Sequence, residues 1–390
     1  MTDRVAIVGV GHTAFRPLSP ECSYRELAYE AAVKAYQDAG VDARRDVGAI
    51  VTIGEDFIEG VAIADCYMPD QFGGALRPVH TITGDGLHAL ATGVMLIRTG
   101  AFEVVTVAGH SKLSNVLSPN QLLALALDPV YNRPLDVNPY FVAGLEMARY
   151  LFESGNTRDQ CARAVADNHR HALLNPSAAY GAAITSADVV AAQDVASPLG
   201  RLDIAGPADG AVVVVLASAQ VARSLRKDPI WVHGVGWCND SPSLETRDWV
   251  GANYTARAAE MAYRMAGIRS PADEMDIAEV DDTFSYKELQ HLEALRLCRS
   301  GEAGALLEEG TFEPDGIMPV NVSGGSLGVG NLGDLAGLMR VAEVVAQLRG
   351  EAGARQVPEL TTALVHAWRG LPTTSGAVAI LSTEEPRGMP

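Results

Sequence analysis

The segment Ala32-Val33-Lys34-Ala35-Tyr36-Gln37-Asp38-Ala39-Gly40-Val41 returns as Ala259-Glu260-Met261-Ala262-Tyr263-Arg264-Met265-Ala266-Gly267-Ile268, at a constant spacing of 227 residues. Small residues three and four apart make one face of a helix, and the glycine that follows is the usual left-handed stop. The correspondence continues outward. Asp46-Val47 before a strand at Ile50 parallels Asp276-Ile277 before Val280, with three extra residues in the second copy. On the other flank, Arg4-Val5-Ala6-Ile7-Val8-Gly9-Val10-Gly11 is mirrored by Ile230-Trp231-Val232-His233-Gly234-Val235-Gly236. Strand, helix, glycine cap, acidic turn and strand therefore occur twice, which is the mark of an internally duplicated chain. The expected division is a first half, 1–228, and a second, 229–390, joined near Lys227-Asp228-Pro229.

Short apolar runs alternate with segments of helical period: Val5 to Val10, Tyr24 to Ala39, Ile50 to Ile53, Leu87 to Thr99 and Val104 to Ala108. Such alternation predicts an α/β fold. The first half closes on a strand from Ala211 to Ala217. Before it lies an excursion, about 111–207, with two helical stretches and loops rich in Asn and Pro. An insertion of that size is usually functional. It reads either as a loop covering substrate or as a packing or dimer-contact subdomain.

The chain has 390 residues, 48% of them hydrophobic, and a formal net charge of −18. That charge opposes phosphate neutralisation, so nucleic acids and anionic membrane surfaces are poor partners. The apolar run at Ala211 to Ala219 is broken by Ser218 and is far shorter than the ~20 residues of a membrane span. The N-terminus passes almost at once into Val5-Ala6-Ile7-Val8, without the apolar core of a secretory signal, and the expected location is cytoplasmic. Five scattered cysteines without a CxxC pair suggest neither a disulfide scaffold nor a zinc site, so no metal is expected. Gly9-Val10-Gly11 lacks the third glycine of a dinucleotide loop, and no glycine-rich segment ends in Gly-Lys-Ser/Thr.

The chemistry is sought at two glycine-flanked corners, Thr83-Gly84-Asp85-Gly86-Leu87-His88-Ala89-Leu90 and Asn321-Val322-Ser323-Gly324-Gly325-Ser326-Leu327-Gly328-Val329-Gly330-Asn331. Here the chain resembles the thiolase superfamily, in the branch of the sterol-carrier-protein thiolases and their bacterial relatives. Thr83 to Leu90 is similar to the family's nucleophile motif Cys-Ala-Ser-Gly-Leu-Gln-Ala-Ile, and Ala108 to Ser114 to its Gly-Gly-Val-Glu-Lys-Met-Ser. Asn175-Pro176, Ser197-Pro198-Leu199 and Asp209-Gly210-Ala211 stand where the family carries Asn-Pro, Ser-Pro-Leu and Asp-Gly-Ala. Asp281-Asp282-Thr283-Phe284 occupies the His-Asp-Cys-Phe slot, Asn321 to Leu332 the Asn-Pro-Ser-Gly-Gly and Gly-His-Pro slots, and Ala363 to His366 the Ala-Leu-Gln-His slot. The resemblance implies a thiolase fold, two duplicated α/β halves in a layered αβαβα core.

It also implies that the catalytic residues are replaced. Thr83 stands for the nucleophilic cysteine, Thr283 for the acid/base cysteine, and Asp281 and Asn331 for the two histidines. A threonine without an adjoining base is a poor nucleophile, which argues against an acyl-enzyme. A retro-aldol cleavage of a 3-hydroxyacyl-CoA needs instead a base for the hydroxyl proton and a donor for the thioester enolate. Asp281, with Asp282 beside it, and Asn331 are the candidates for these roles, and Thr83 the remaining catalytic candidate. Ser323, Gly325, Thr283 and His366 are the candidate substrate contacts. The bland readings are specific too: Asp281-Asp282 caps a helix beginning at Ser285 or Tyr286, Asn331 is a turn residue, Thr83 ends a buried strand, and His366 and His88 are packed in the interior. Coenzyme A enters as part of the substrate and no permanently bound cofactor is implied. Relatives that cleave steroid side chains as acyl-CoA aldolases work with a small OB-fold zinc-ribbon protein, so a similar partner, within a homodimer or heteromer, is implied. The rival functions are a thiolase-type acyltransferase and a non-catalytic subunit.

Overall fold

The computed structural model describes residues 4–54, 64–116, 121, 124–125, 127–136, 138–226, 228–370 and 374–386. Lys227, in the expected junction, lies outside the described residues, as do parts of the excursion.

In the first half β1 (Val5–His12) leads into α1 (Tyr24–Ala39), β2 (Ala49–Ile53), β3 (Val79–Ile82), α2 (Gly86–Arg98) and β4 (Val104–Lys112). The excursion contributes α3 (Pro139–Ser154) and α4 (Arg158–Ala172), and β5 (Asp209–Ser218) ends the half. Then follow β6 (Ile230–Asn239), α5 (Asn253–Ala266), β7 (Ile277–Glu279), α6 (Ser285–Ala294), α7 (Gly325–Val329), α8 (Ala336–Leu348), β8 (Thr362–Gly370) and β9 (Thr374–Ser382). The excursion holds more than the two expected helices: a third, Ser186–Ala191, and a short hairpin, Asp194–Ala196 with Leu199–Gly200, are also present. Six residues is too short a helix to show a clear period in sequence.

The nine strands form one sheet in the order β3-β2-β4-β5-β1-β6-β9-β8-β7. The pairing repeats from one half to the other. β1 lies antiparallel to β5, β5 to β4, and β4 runs parallel to β2, which runs parallel to β3. Likewise β6 lies antiparallel to β9, β9 to β8, and β8 runs parallel to β7, where a single parallel bridge from Ala278 to Val320 stands in for the fifth strand. β1 and β6 join the two halves edge to edge. Helices α2 and α8 touch strands of both halves, whereas α1 packs on β1, β4 and β5, and α5 on β6 and β9. The sheet thus folds over a central helical layer, giving five layers, αβαβα.

Side-chain alternation follows from this layering, because a strand buried on both faces shows no polar stripe. In β5, Val212, Val214 and Leu216 enter the central core, and Ala211, Val213, Val215 and Ala217 the core under α1. In β9, Ala379 and Leu381 face the centre while Val378 and Ile380 face α5. The Gly-x-Gly pairs explain the duplicated alanines. A Cβ on Gly9 or Gly11 would collide with the backbone of α1 at Ala35 and Ala31, and one on Gly234 or Gly236 with α5 at Ala262 and Ala258. Each glycine pair is therefore a seat for an alanine-faced helix. Gly40 and Gly267, at φ 69° and 79°, end those helices in the left-handed region. Gly236→Val is expected to cost about 1–3 kcal/mol, the usual range for overpacking. Thermal unfolding checks it: a melting temperature equal to wild type would mean that α5 does not need this close approach.

Candidate active site

The candidate site is organised around Arg340, a guanidinium in α8 with no exposed surface. It pairs with Asp281 at 3.0 Å and Asp282 at 3.4 Å, both wholly buried, and donates to Ser326 Oγ at 2.6 Å. Buried charges persist only when paired and hydrogen-bonded. Asp282 is so satisfied: it accepts from the Ser326 N–H at 2.5 Å, the Leu327 N–H at 3.0 Å and Asn168 Nδ2 at 2.9 Å. It therefore caps α7. The expectation that this pair caps the helix at Ser285 or Tyr286 is corrected: Phe284 precedes α6 and supplies no side-chain cap. Gly325 lies against the Asp282 carboxylate at φ 57°, where a Cβ would collide with it.

Asp281 is arranged differently. Its Oδ1 accepts from the half-buried Thr283 N–H at 3.0 Å, while Oδ2 faces Arg340 Nη1 off the line a hydrogen bond requires and meets no other donor. Its own N–H donates to His366 Nδ1 at 3.3 Å, and its carbonyl accepts from His291 Nδ1 at 2.8 Å. His366 is wholly buried, bonds Thr255 Oγ1 through Nε2 at 3.0 Å and packs on His291, ring centroids 4.4 Å apart. Burial holds both imidazoles well below their usual pKa. They are neutral interior groups. Behind them Lys287 is wholly buried, satisfied by Glu146 at 2.8 Å, Tyr254 at 3.0 Å and Gln290 at 2.7 Å, and lies 4.6 Å from the Trp368 ring centroid.

At the second corner, Ser323 is fully engaged with Glu279, donating through N at 3.0 Å and Oγ at 2.6 Å. Half-buried Asn331 accepts from the Gly333 N–H at 2.8 Å through Oδ1, an Asx turn. Its Nδ2 makes no hydrogen bond among the described residues. At the first corner, Thr83 is exposed just beyond β3 rather than buried at a strand end. Asp85 caps α2 by accepting from the Leu87 N–H at 2.8 Å, and also accepts from the Gly337 N–H at 3.0 Å at the start of α8. One carboxylate thus meets the positive ends of the two central helices. Burial pushes its pKa up to about 7, with Arg340 among the groups that oppose the rise.

Thr83 lines a cavity of about 530 Å³ together with Gly84, His88, Trp237, Asp240, Arg369 and Thr374. Ser323 lines a separate cleft, also about 530 Å³, with His12, Asn175, Glu343 and Arg355. Asp281, Asp282, Thr283, Gly325 and His366 line neither; they form one buried polar cluster with Arg340. Reasoning from sequence missed Arg340, Asp85 and His88 as organising groups. Arg340 had a signal, being a lone cation within the otherwise apolar Ala336 to Ala342.

The cluster sets a pH dependence. Burial raises the pKa of Asp85, Glu279, Asp282 and Glu288. An acid with a raised native pKa gives stability that is present at low pH and lost as pH rises through the native value. With Asp85 at about 7 and Glu279 and Glu288 at about 8, the melting temperature is expected to fall between about pH 6.5 and 8, each proton held by the fold and not by the unfolded chain counting about 1.4 kcal/mol per pH unit. The neutral histidines oppose this only below their unfolded pKa of ~6.5, and Lys287, lowered to about 8, only above that value. Calorimetry across the range checks it. A flat or rising melting temperature would mean that these carboxylates are ionised in the fold.

Comparison with known proteins gives the family. The chain is 33% identical over 383 residues to an acetyl-CoA acetyltransferase of Methanothermobacter thermautotrophicus, covering 96% of this chain and 98% of that protein. The chain belongs to the thiolase superfamily. Residues 237–383 match the thiolase C-terminal domain-like family. Its branch is that of the sterol-carrier-protein thiolases: sterol carrier protein 2 of Oryctolagus cuniculus is 29% identical, covering 93% of this chain and 69% of that protein. Among solved structures, the Ltp2-ChsH2(DUF35) aldolase superposes with a TM-score of 0.83 at 26% identity over 97% of this chain and 98% of that one. An acyl-CoA-acting protein of the thiolase superfamily is the function this supports. No helix among the described residues is long and apolar enough to cross a membrane.

Proposed function

We propose that this thiolase-superfamily protein cleaves a carbon–carbon bond of a 3-hydroxyacyl-CoA, from a steroid or other bulky side chain, by retro-aldol chemistry without an acyl-enzyme. The observation that carries this reading is the state of Thr83. Thr83 lines the cavity and its hydroxyl makes no hydrogen bond among the described residues, while the one lone pair of the neutral His88 imidazole is taken by the Asp85 N–H, so that ring does not accept the hydroxyl proton. An unactivated threonine does not attack a thioester at a useful rate. The retro-aldol route needs no nucleophile: a base takes the 3-hydroxyl proton, the Cα–Cβ bond breaks to give a carbonyl product and a thioester enolate held by a donor, and the proton returns to the enolate carbon. We assign the first to Asp281, the acid of the cluster with an oxygen not fully hydrogen-bonded, and the second to Asn331, whose turn fixes Oδ1 and leaves Nδ2 to donate. Asp282, Thr283, Ser323, Gly325 and His366 then shape and support the site. Coenzyme A is part of the substrate, with no resident cofactor. The likeness to the Ltp2-ChsH2(DUF35) aldolase supports a heteromer with a second component, for which we propose a small OB-fold zinc-ribbon protein.

The acetyl-CoA acetyltransferase relative favours acyl transfer as a second reading. Incubation with acetyl-CoA followed by intact-mass measurement separates the two. The expected result is unmodified protein; a stable acetyl adduct would select acyl transfer. Turnover across a panel of 3-hydroxyacyl-CoA thioesters, with the partner present, tests the lyase directly.

A further inference from the structure

One buried donor outside that mechanism lines the same cavity as Thr83. His88, in the first turn of α2, is 8% exposed. Its Nδ1 takes the N–H of Asp85 at 3.1 Å. A backbone N–H can only donate, so Nδ1 is unprotonated, and the neutral ring carries its proton on Nε2. That Nε2 is buried and has no hydrogen-bond partner among the described residues. Buried donors are met in nearly all folded proteins, so a donor left without a protein partner beside a cavity is free to bond what fills that cavity. The ring is held in place: Gly84, at φ 113°, lies over it, and a Cβ there would approach Nδ1 to 3.2 Å. Among the described residues the cavity wall also carries Thr83, Trp237 and one charge of each sign, Arg369 and Asp240. The two opposite charges leave these lining residues without a net charge to draw a free anion, and a neutral N–H beside them can serve a carbonyl oxygen.

We propose that His88 Nε2–H donates a hydrogen bond to the acyl carbonyl oxygen of a thioester seated in this cavity. The proposal rests on the acyl-CoA reading above. It makes His88 a binding residue that distinguishes an acylated from a free coenzyme A and a second donor, beside Asn331, on the oxygen that carries the enolate charge; the proton transfers stay with Asp281.

Titration calorimetry of the full chain with acetyl-CoA and with free coenzyme A tests it. His88→Phe is expected to weaken acetyl-CoA binding about tenfold, the scale of one hydrogen bond, and to leave free coenzyme A unchanged. His88→Gln, which can donate again from a similar place, is expected to recover most of the loss. In the wild type, the ring ¹⁵N signals of His88 should report the Nε2–H tautomer and shift on adding acetyl-CoA but not coenzyme A; this measurement decides if His88→Phe fails to fold. Acetyl-CoA binding that is equal in wild type and His88→Phe, or an unshifted His88 signal in saturated protein, overturns the role of His88 while the acyl-CoA reading stands. Failure of the wild type to bind either molecule overturns both.

Discussion

Arg340→Met is expected to lower the unfolding free energy by about 3–5 kcal/mol, the range for removing one partner of a buried ion pair. Arg340 faces two carboxylates at 3.0 and 3.4 Å, and its charge also acts on Asp85 and Glu279. Methionine fills much of the volume but returns none of the charge. The four acids must then be desolvated without a cation or take up protons. Because protonation relieves the strain, the loss should be larger at pH 8 than at pH 6. Arg340→Met combined with Asp281→Asn and Asp282→Asn is expected to recover part of the loss, since neutralising a whole buried set costs less than orphaning half of it. Urea denaturation of the three proteins checks this. A change below about 1 kcal/mol in the single variant would show that water or another cation compensates the cluster.

Much of the layered architecture was legible because local rules and the global fold agree. Alanine faces that recur beside Gly-x-Gly strands describe a helix lying close on a sheet, and the structure repeats that contact at Gly9 with Ala35 and Gly234 with Ala262. Strand ends were drawn short: β4 runs on to Lys112 and β5 begins at Asp209, since Gly109, His110 and Gly210 do not read as strand formers. The site was less legible, and for a different reason. Asp282 caps a helix 44 residues away rather than the one that follows it, because the bridge between Ala278 and Val320 brings the start of α7 beside the end of β7. The two-helix cap made by Asp85 likewise spans 252 residues. Such partners are set by which loops share an end of the folded sheet. Spacing along the chain carries no trace of them. Thr83 shows the opposite case: the replacement of both family histidines already argues from sequence against an activating base, and the structure adds that the neighbouring His88 imidazole has its lone pair taken by the Asp85 N–H.

The two adjacent aspartates are expected to separate under mutation. Asp281→Asn should reduce turnover of a 3-hydroxyacyl-CoA by about 10²- to 10⁴-fold, the usual effect of losing a general base, measured with the zinc-ribbon partner present. An asparagine keeps the acceptor for the Thr283 N–H but cannot take a proton. The fold should survive, at a cost of about 1–3 kcal/mol for an amide set against a guanidinium, because Arg340 retains Asp282 and Ser326. Asp282→Asn should behave as a structural lesion. Its carboxylate serves the N–H groups of Ser326 and Leu327 and the amide of Asn168, so an amide there must turn its NH₂ toward one of those donors. Its activity loss should follow its stability loss and diminish on cooling, whereas the Asp281→Asn defect should persist at temperatures where the variant is fully folded. Asn331→Ala should fall between them, losing about 10²- to 10³-fold in turnover, as for an oxyanion donor, together with the Gly333 turn. If Asp281→Asn keeps wild-type turnover, the Asp281 carboxylate serves only to balance Arg340, and the base must be sought among the groups that line the Thr83 cavity, where Asp240 is the one carboxylate among the described residues.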